Sequence, residues 1–211
     1  LFKIIKLRTM RKNTPNLGTH LVSENSYLMT GKIIRKLKID ELPQLVNLIK
    51  GELNKEVEVP SDIDFLLLTQ GQPDHSHPPT LEKINKTIPV IASEAASKVV
   101  TKIGFKIIKT LKPGEIFENN NLIIQATTGA SVPNIENGYI IDAGLDSIYI
   151  EPHGYLDKKI KPRNIDLLIT PVIDFSLPLA GKFIKGKTVL PQLLKLFNPT
   201  TVLASTTGGD I

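Results

Sequence analysis

The chain has 211 residues, 41% of them apolar, which is enough to bury the core of one large or two small globular domains and excludes a disordered composition. It has no cysteine, which excludes disulfides, thiolate nucleophiles and thiolate ligands, so any metal must be held by His, carboxylate or amide groups. The net charge of +5 is uneven, with 11 Lys/Arg against 4 Asp/Glu in residues 1–55 and 15 against 17 in residues 56–211.

The first quarter reads as a basic strand-loop-helix segment. Phe2 to Leu7 has strand character, Thr9 to Ser26 is a polar loop, and Leu42, Leu45, Val46 and Ile49 fall on one helical face. Pro43 suits the first turn, Gly51 suits the stop, and Asp40 lies at or next to the N-cap. A surface this basic suits weak contact with anionic membrane, and reads equally as a solvated face. Nucleic acid is not expected, because no aromatic residues interleave with the charges. No apolar run reaches the roughly 20 residues needed to cross a bilayer. The start at Leu1-Phe2-Lys3 is neither an initiator Met nor a signal peptide, so the chain is expected to begin within a longer gene and to be cytoplasmic, at most at the inner membrane face.

From Asp62 the pattern changes to apolar runs of strand length alternating with helical stretches. Strands are expected at Ile63 to Leu68, Val90 to Ala92, Ile107 to Leu111, Leu122 to Ala126, Tyr139 to Ile141, Ile148 to Ile150, Leu167 to Thr170 and Val202 to Ala204. Helices are expected at Thr80 to Asn85, Glu94 to Ile103 and Thr188 to Leu196, with Gly104 placed to end the second. Strands apolar at consecutive positions are covered on both faces, which predicts a layered α/β fold.

The first of these strands empties into Thr69-Gln70-Gly71-Gln72-Pro73-Asp74-His75, a polar loop where open α/β sheets commonly place chemistry. From residue types alone, Asp74 and His75 read as capping the turn and helix that follow. The frame resembles the metallo-β-lactamase motif Thr-His-x-His-x-Asp-His, with Gln70 and Gln72 in place of the first two histidines and Asp74 and His75 matching. Gln70 to Leu81, Asn134 to Tyr139 and Ile169-Thr170-Pro171 resemble a cyanobacterial and plastid branch of that superfamily.

The resemblance implies an αββα sandwich over residues 56–211, incomplete at both ends. It also implies a degenerate site with at most one divalent metal (zinc, iron or manganese), since glutamine amides replace imidazoles poorly. Asp74 and His75 would be ligands, joined by Glu151 or His153 after the Ile148 strand. Thr206 stands where the family's last histidine is expected, and His77 reads as an exposed loop residue. The activity implied is that of a hydrolase on an unknown small molecule; a pocket without metal would be a non-catalytic binding module.

A second resemblance covers residues 1–53. Phe2 to Met10, Gly31 to Lys36 and Ile39 to Glu52 resemble the catalytic region of bacterial sugar transferases, which move a sugar phosphate from a nucleotide sugar to polyprenyl phosphate. It implies Asp40 as nucleophile with Glu41 beside it, Arg35 on phosphate and Mg²⁺ as cofactor. Without that frame, Asp40-Glu41 reads as a helix cap. The chain runs from Gly51-Glu52 into Leu53-Asn54-Lys55 where that family continues Gly-Pro-Arg-Pro, and no membrane-inserted helix precedes Phe2, so the fragment is expected to be silent as it stands. The whole is expected to be a fusion with its seam near Lys50 to Lys55.

Overall fold

The computed structural model describes residues 63–131, 135–177 and 181–205. The expected N-terminal strand-loop-helix lies outside the described residues.

The first sheet is parallel. Strands β1 (Leu66–Leu68), β2 (Val90–Ala92) and β3 (Ile108–Thr110) lie in that order, with helices α1 (Pro78–Lys83) and α2 (Glu94–Ile103) as the two crossovers. All six side chains of β1 and β2 are buried. Leu66, Leu68, Val90 and Ala92 pack under Leu81, Ala96 and Val100 of the helices, while Leu67 and Ile91 point the other way. Helix α1 begins with proline, whose missing N–H costs nothing there. Helix α2 is capped at both ends: Ser93 Oγ accepts from Ala96 N at 3.3 Å, and Gly104 turns out at φ +102°.

The second sheet has the order β11-β8-β7-β6-β5-β4. Strands β4 (Ile116–Asn119), β5 (Leu122–Thr128), β6 (Asn137–Ala143) and β7 (Asp146–Ile150) form an antiparallel meander, and β8 (Leu167–Thr170) and β11 (Thr201–Ala204) add in parallel. A separate antiparallel hairpin of β9 (Asp174–Leu177) and β10 (Gly181–Lys185) leads into helix α3 (Gly186–Phe197).

Strand alternation divides the second sheet between two cores. Ile124, Ala126, Tyr139, Ile141, Ile148, Ile150 and Ile169 pack with Leu67 and Ile91 of the first sheet and with Phe65 just before it. Ile140, Tyr149 and Leu168 face Val189, Leu193 and Phe197 of α3, with the Tyr149 and Phe197 rings 4.6 Å apart. The result is helix, sheet, sheet, helix. Among the described residues, the eight strands and three helices expected from Asp62 onward are all present, and β4, β9 and β10 are additional.

Tyr139 and Asn137 tie the two sheets together at one end. Tyr139 Oη donates to Leu68 O at 3.0 Å, Asn137 N donates to Thr69 O at 3.0 Å, and Asn137 Nδ2 donates to Leu111 O at 2.8 Å. These bonds set the position of the neighbouring Glu136 against the loop that follows β1.

Candidate metal centre

Three chain segments meet at that end of the sandwich. The first is the loop after β1. It is folded by its own backbone, with His75 N and Ser76 N both donating to Gln72 O at 2.9 and 2.8 Å and Ser76 Oγ adding a third bond to the same carbonyl. Gly71 lets this loop lie against α2, since a Cβ there would stand 2.7 Å from Ala95 O. The turn buries His75 and leaves Asp74 71% exposed.

The second segment is the residue pair before β6. Glu136 N donates to Ala130 O, Glu136 O accepts from Gly129 N, and the side chain is fully buried. The third is the loop after β7, residues 151–155. Glu151 is also fully buried, and its two carboxylate oxygens accept from His153 N at 3.3 Å and Tyr155 N at 2.7 Å. Gly154, at φ +74°, lets the loop pass the start of α3, and His153 O accepts from Lys185 N.

The segments bring two imidazoles and one carboxylate together. The His75 and His153 rings stack at 4.9 Å with 29° between their planes. Glu136 Oε2 is 2.5 Å from His153 Nδ1 and Glu136 Oε1 is 3.4 Å from His75 Nδ1. The second contact lacks hydrogen-bond geometry, so Oε1 is buried without a hydrogen bond. Thr69 Oγ1 lies 3.2 Å from the same His75 Nδ1. Ligand atoms of His75, Glu136 and His153 all lie within 4.8 Å of one another, the one such group among the described residues.

Electrostatics follow from this crowding of acids. Burial, and then the neighbouring Glu136, push the Glu151 carboxyl up to about 8 against the pull of the Tyr155 and His153 N–H groups. Burial pulls His153 down, but the Glu136 hydrogen bond and the charges of Glu136, Glu151 and Asp74 outweigh it and raise the ring above its ordinary value.

Of the site residues expected from sequence, His75 and His153 are in the cluster. Asp74 is beside it, with Oδ2 3.5 Å from His75 Nε2. Glu151 is not among the clustered ligand atoms; its oxygens are engaged by the backbone of its own loop. Gln70 is buried with Nε2 unpartnered, and Gln72 is half-buried and serves the turn through its carbonyl. His77 is exposed, its Nδ1 2.9 Å from Thr80 Oγ1. Arg35, Asp40, Glu41 and Thr206 lie outside the described residues. Sequence reasoning missed Glu136; the available signal was an acid placed directly before a buried strand.

Residues 1–55 match the model of the bacterial sugar transferase family. The uncharacterized sugar transferase EpsL of Bacillus subtilis is 43% identical over 72 residues, which are 34% of this chain and 36% of that protein. A UDP-glucose:undecaprenyl-phosphate glucose-1-phosphate transferase of Caulobacter vibrioides is 38% identical over 55 residues, 25% of this chain and 21% of the relative. The chain thus spans about a third or less of the length of these relatives.

The remainder is similar in fold to solved metallo-β-lactamase-type structures. A "possible metal-dependent hydrolase" from Veillonella parvula superposes with a TM-score of 0.55 at 17% identity, covering 68% of this chain and 62% of that one. The isothiocyanate hydrolase from Delia radicum gut bacteria gives 0.56 at 20% identity, covering 71% and 66%. The metallo-β-lactamase fold protein YhfI from Bacillus subtilis gives 0.54 at 17%, covering 72% and 67%. The chain therefore joins a segment similar to bacterial sugar transferases to a domain with the metallo-β-lactamase fold.

Proposed function

We propose that the domain over residues 56–211 is a metal-dependent hydrolase domain with a single divalent ion at the His75, Glu136 and His153 cluster, acting on a small molecule. The observation that carries this reading is the convergence of two buried imidazoles and a buried carboxylate from three separate segments. The residues fit such an ion: a two-histidine, one-carboxylate set suits zinc, iron or manganese, and Glu136 Oε1 is a buried oxygen without a hydrogen bond. When bound, the ion supplies Lewis-acid assistance to hydrolysis. The protein's own part is to exclude water around the rings and to hold Glu136 against them.

Elemental analysis of the full chain after equilibrium dialysis against zinc, iron and manganese tests this. One metal per chain, lost in a His75→Ala, His153→Ala double variant, is the expected result. A chain that takes up none would overturn the reading and leave the pocket as a non-catalytic binding module.

A second reading rests on the family match of residues 1–55 and on the transferase activity in the relatives' names. In it, residues 1–53 transfer a sugar 1-phosphate from a nucleotide sugar to polyprenyl phosphate, with Asp40 as nucleophile, Glu41 and Arg35 beside it, Mg²⁺ as cofactor, and anionic membrane at the inner face as the setting. Lipid-linked label formed from radiolabelled nucleotide sugar with membranes and Mg²⁺, and abolished by Asp40→Asn, would support it. No label with the wild-type chain would leave the segment silent.

A further inference from the structure

We infer that the open edge of the first sheet is a contact surface for anionic membrane, carried by Lys102, Lys106, Lys109 and Lys112 with Ile107 among them. It rests neither on the metal centre nor on residues 1–53.

Residues 95–114 hold five lysines and no acid, whereas residues 115–205 hold 8 Lys/Arg against 9 Asp/Glu. The fold lays this run along one border of the sandwich. Lys102 is in the last turn of α2, Gly104 turns the chain at φ +102°, and Lys106 and Ile107 lead into β3. Among the described residues β3 pairs with β2 alone and so ends its sheet, with Lys109 in the strand and Lys112 just beyond it. At ~3.3 Å per residue, Lys106 to Lys112 reaches about 20 Å. All four lysines are exposed, and none forms an ion pair with a described residue. Two neighbours are engaged instead. Lys98 Nζ is 3.4 Å from Glu94 Oε1, and Lys86 Nζ donates to Leu81 O, Glu82 O and Ile84 O at 2.8, 2.8 and 2.7 Å.

Two plainer accounts of these lysines leave something over. Lysines on an edge strand discourage pairing with another chain, and a charged face keeps a protein soluble. Neither calls for Ile107, which is 54% exposed in the middle of the lysines. An edge guarded only against association gains nothing from a large aliphatic side chain there. An anionic bilayer uses both kinds of group: the ammonium groups meet phosphates while the aliphatic side chain enters the headgroup boundary. Neighbouring charges in the run act on such a surface together, since screening at about 0.1 M salt extends about 10 Å. Single-stranded nucleic acid fits less well, because Phe105, the one aromatic residue in the run, is buried.

The test is co-sedimentation of the full chain with vesicles of equal parts phosphatidylglycerol and phosphatidylcholine, against phosphatidylcholine alone. The wild type is expected to bind the anionic vesicles and not the neutral ones. Replacing Lys102, Lys106, Lys109 and Lys112 by glutamine is expected to lower the partition coefficient about fivefold per lysine. Ile107→Ala is expected to lower it as well, with melting curves as control for folding. Residues 1–55 are also basic, so a second variant removes the same charge elsewhere: Lys158, Lys161, Lys187 and Lys195, all exposed, are replaced by glutamine. That variant is expected to stay near the wild-type value. Equal losses in the two fourfold variants, unchanged binding in Ile107→Ala, or a wild type that does not prefer anionic vesicles would overturn the inference. Loss of binding to a single-stranded oligonucleotide with vesicle binding kept, in the first fourfold variant, would assign the lysines to nucleic acid and overturn it too.

Discussion

The stacked imidazoles of His75 and His153 are 78 residues apart in the chain and come from different sheets, one following β1 and the other following β7. Their contact is a consequence of how the two sheets are stitched at one end. Removing one ring should therefore be felt by the fold as well as by the site. His153→Ala leaves Glu136 Oε2 buried without its partner, a loss of about 3–5 kcal/mol for a buried pair. His77→Ala removes an exposed ring and should change stability by under about 0.5 kcal/mol. Urea unfolding of both variants checks the contrast.

Glu151 predicts the pH dependence of stability. Its carboxyl is raised from 4.5 to about 8 in the fold, so the folded state holds this proton more tightly than the unfolded chain. The contribution is fully present below about 4.5 and is lost as pH rises through about 8, at up to about 1.4 kcal/mol per pH unit. His153, also raised, acts with the same sign. Unfolding free energies measured across that window should fall with pH, and Glu151→Gln should flatten the fall. A stability that rises over this range would contradict the assignment.

The loop carrying His153 has no room for a side chain at Gly154. A Cβ there would lie 2.6 Å from Lys185 C and 2.7 Å from Gly186 N, both backbone atoms, at a φ of +74°. Gly154→Ala must push the loop off the start of α3 or strain it, at a cost of about 1–3 kcal/mol. Because His153 O is bonded to Lys185 N in the same contact, the ring should move with the loop. We expect Gly154→Ala to lower both the melting temperature and metal uptake, whereas Gly104→Ala, where a Cβ meets nothing within 4 Å, should cost backbone strain alone and leave metal uptake intact.

The parts of the fold that were legible in sequence are those where burial and capping agree. Strands β2 and β8 and helix α2 have the bounds expected, because Val90 to Ala92 and Leu167 to Ile169 are uninterrupted apolar runs, the second closed by β-branched Thr170, and Ser93 and Gly104 bracket the helix. Strand β4 was not, since three of its four residues are exposed at the sheet's edge and its composition is mixed. The β9–β10 hairpin carries an aspartate and two lysines and belongs to neither large sheet. At the site, His75 and His153 were legible because each follows an apolar strand. Glu136 precedes its strand, so the rule that found the histidines passed over it. Sequence left Glu151 and His153 as alternatives, and only the backbone shows why the two differ: the carboxylate faces its own loop's N–H groups.

Gln70 and Gln72 occupy the two positions where the resemblance places histidines, and the structure gives them different roles. Gln70 is buried with its amide nitrogen unpartnered, so its side chain is available for replacement. Gln72 holds the turn through its backbone carbonyl, which accepts from His75 N, Ser76 N and Ser76 Oγ, and a side-chain change leaves those bonds in place. Neither substitution removes a support of the His75, Glu136 and His153 cluster. A neutral amide is a poor zinc donor and an imidazole a good one, so the wild-type chain should saturate with at most one zinc. The Gln70→His, Gln72→His variant should take up a second. Equilibrium dialysis with elemental analysis at matched protein concentration reads the difference directly. Two tightly held zincs in the wild type would defeat the expectation from the amides. An unchanged stoichiometry in a folded double variant would mean that the two positions do not face a metal at all.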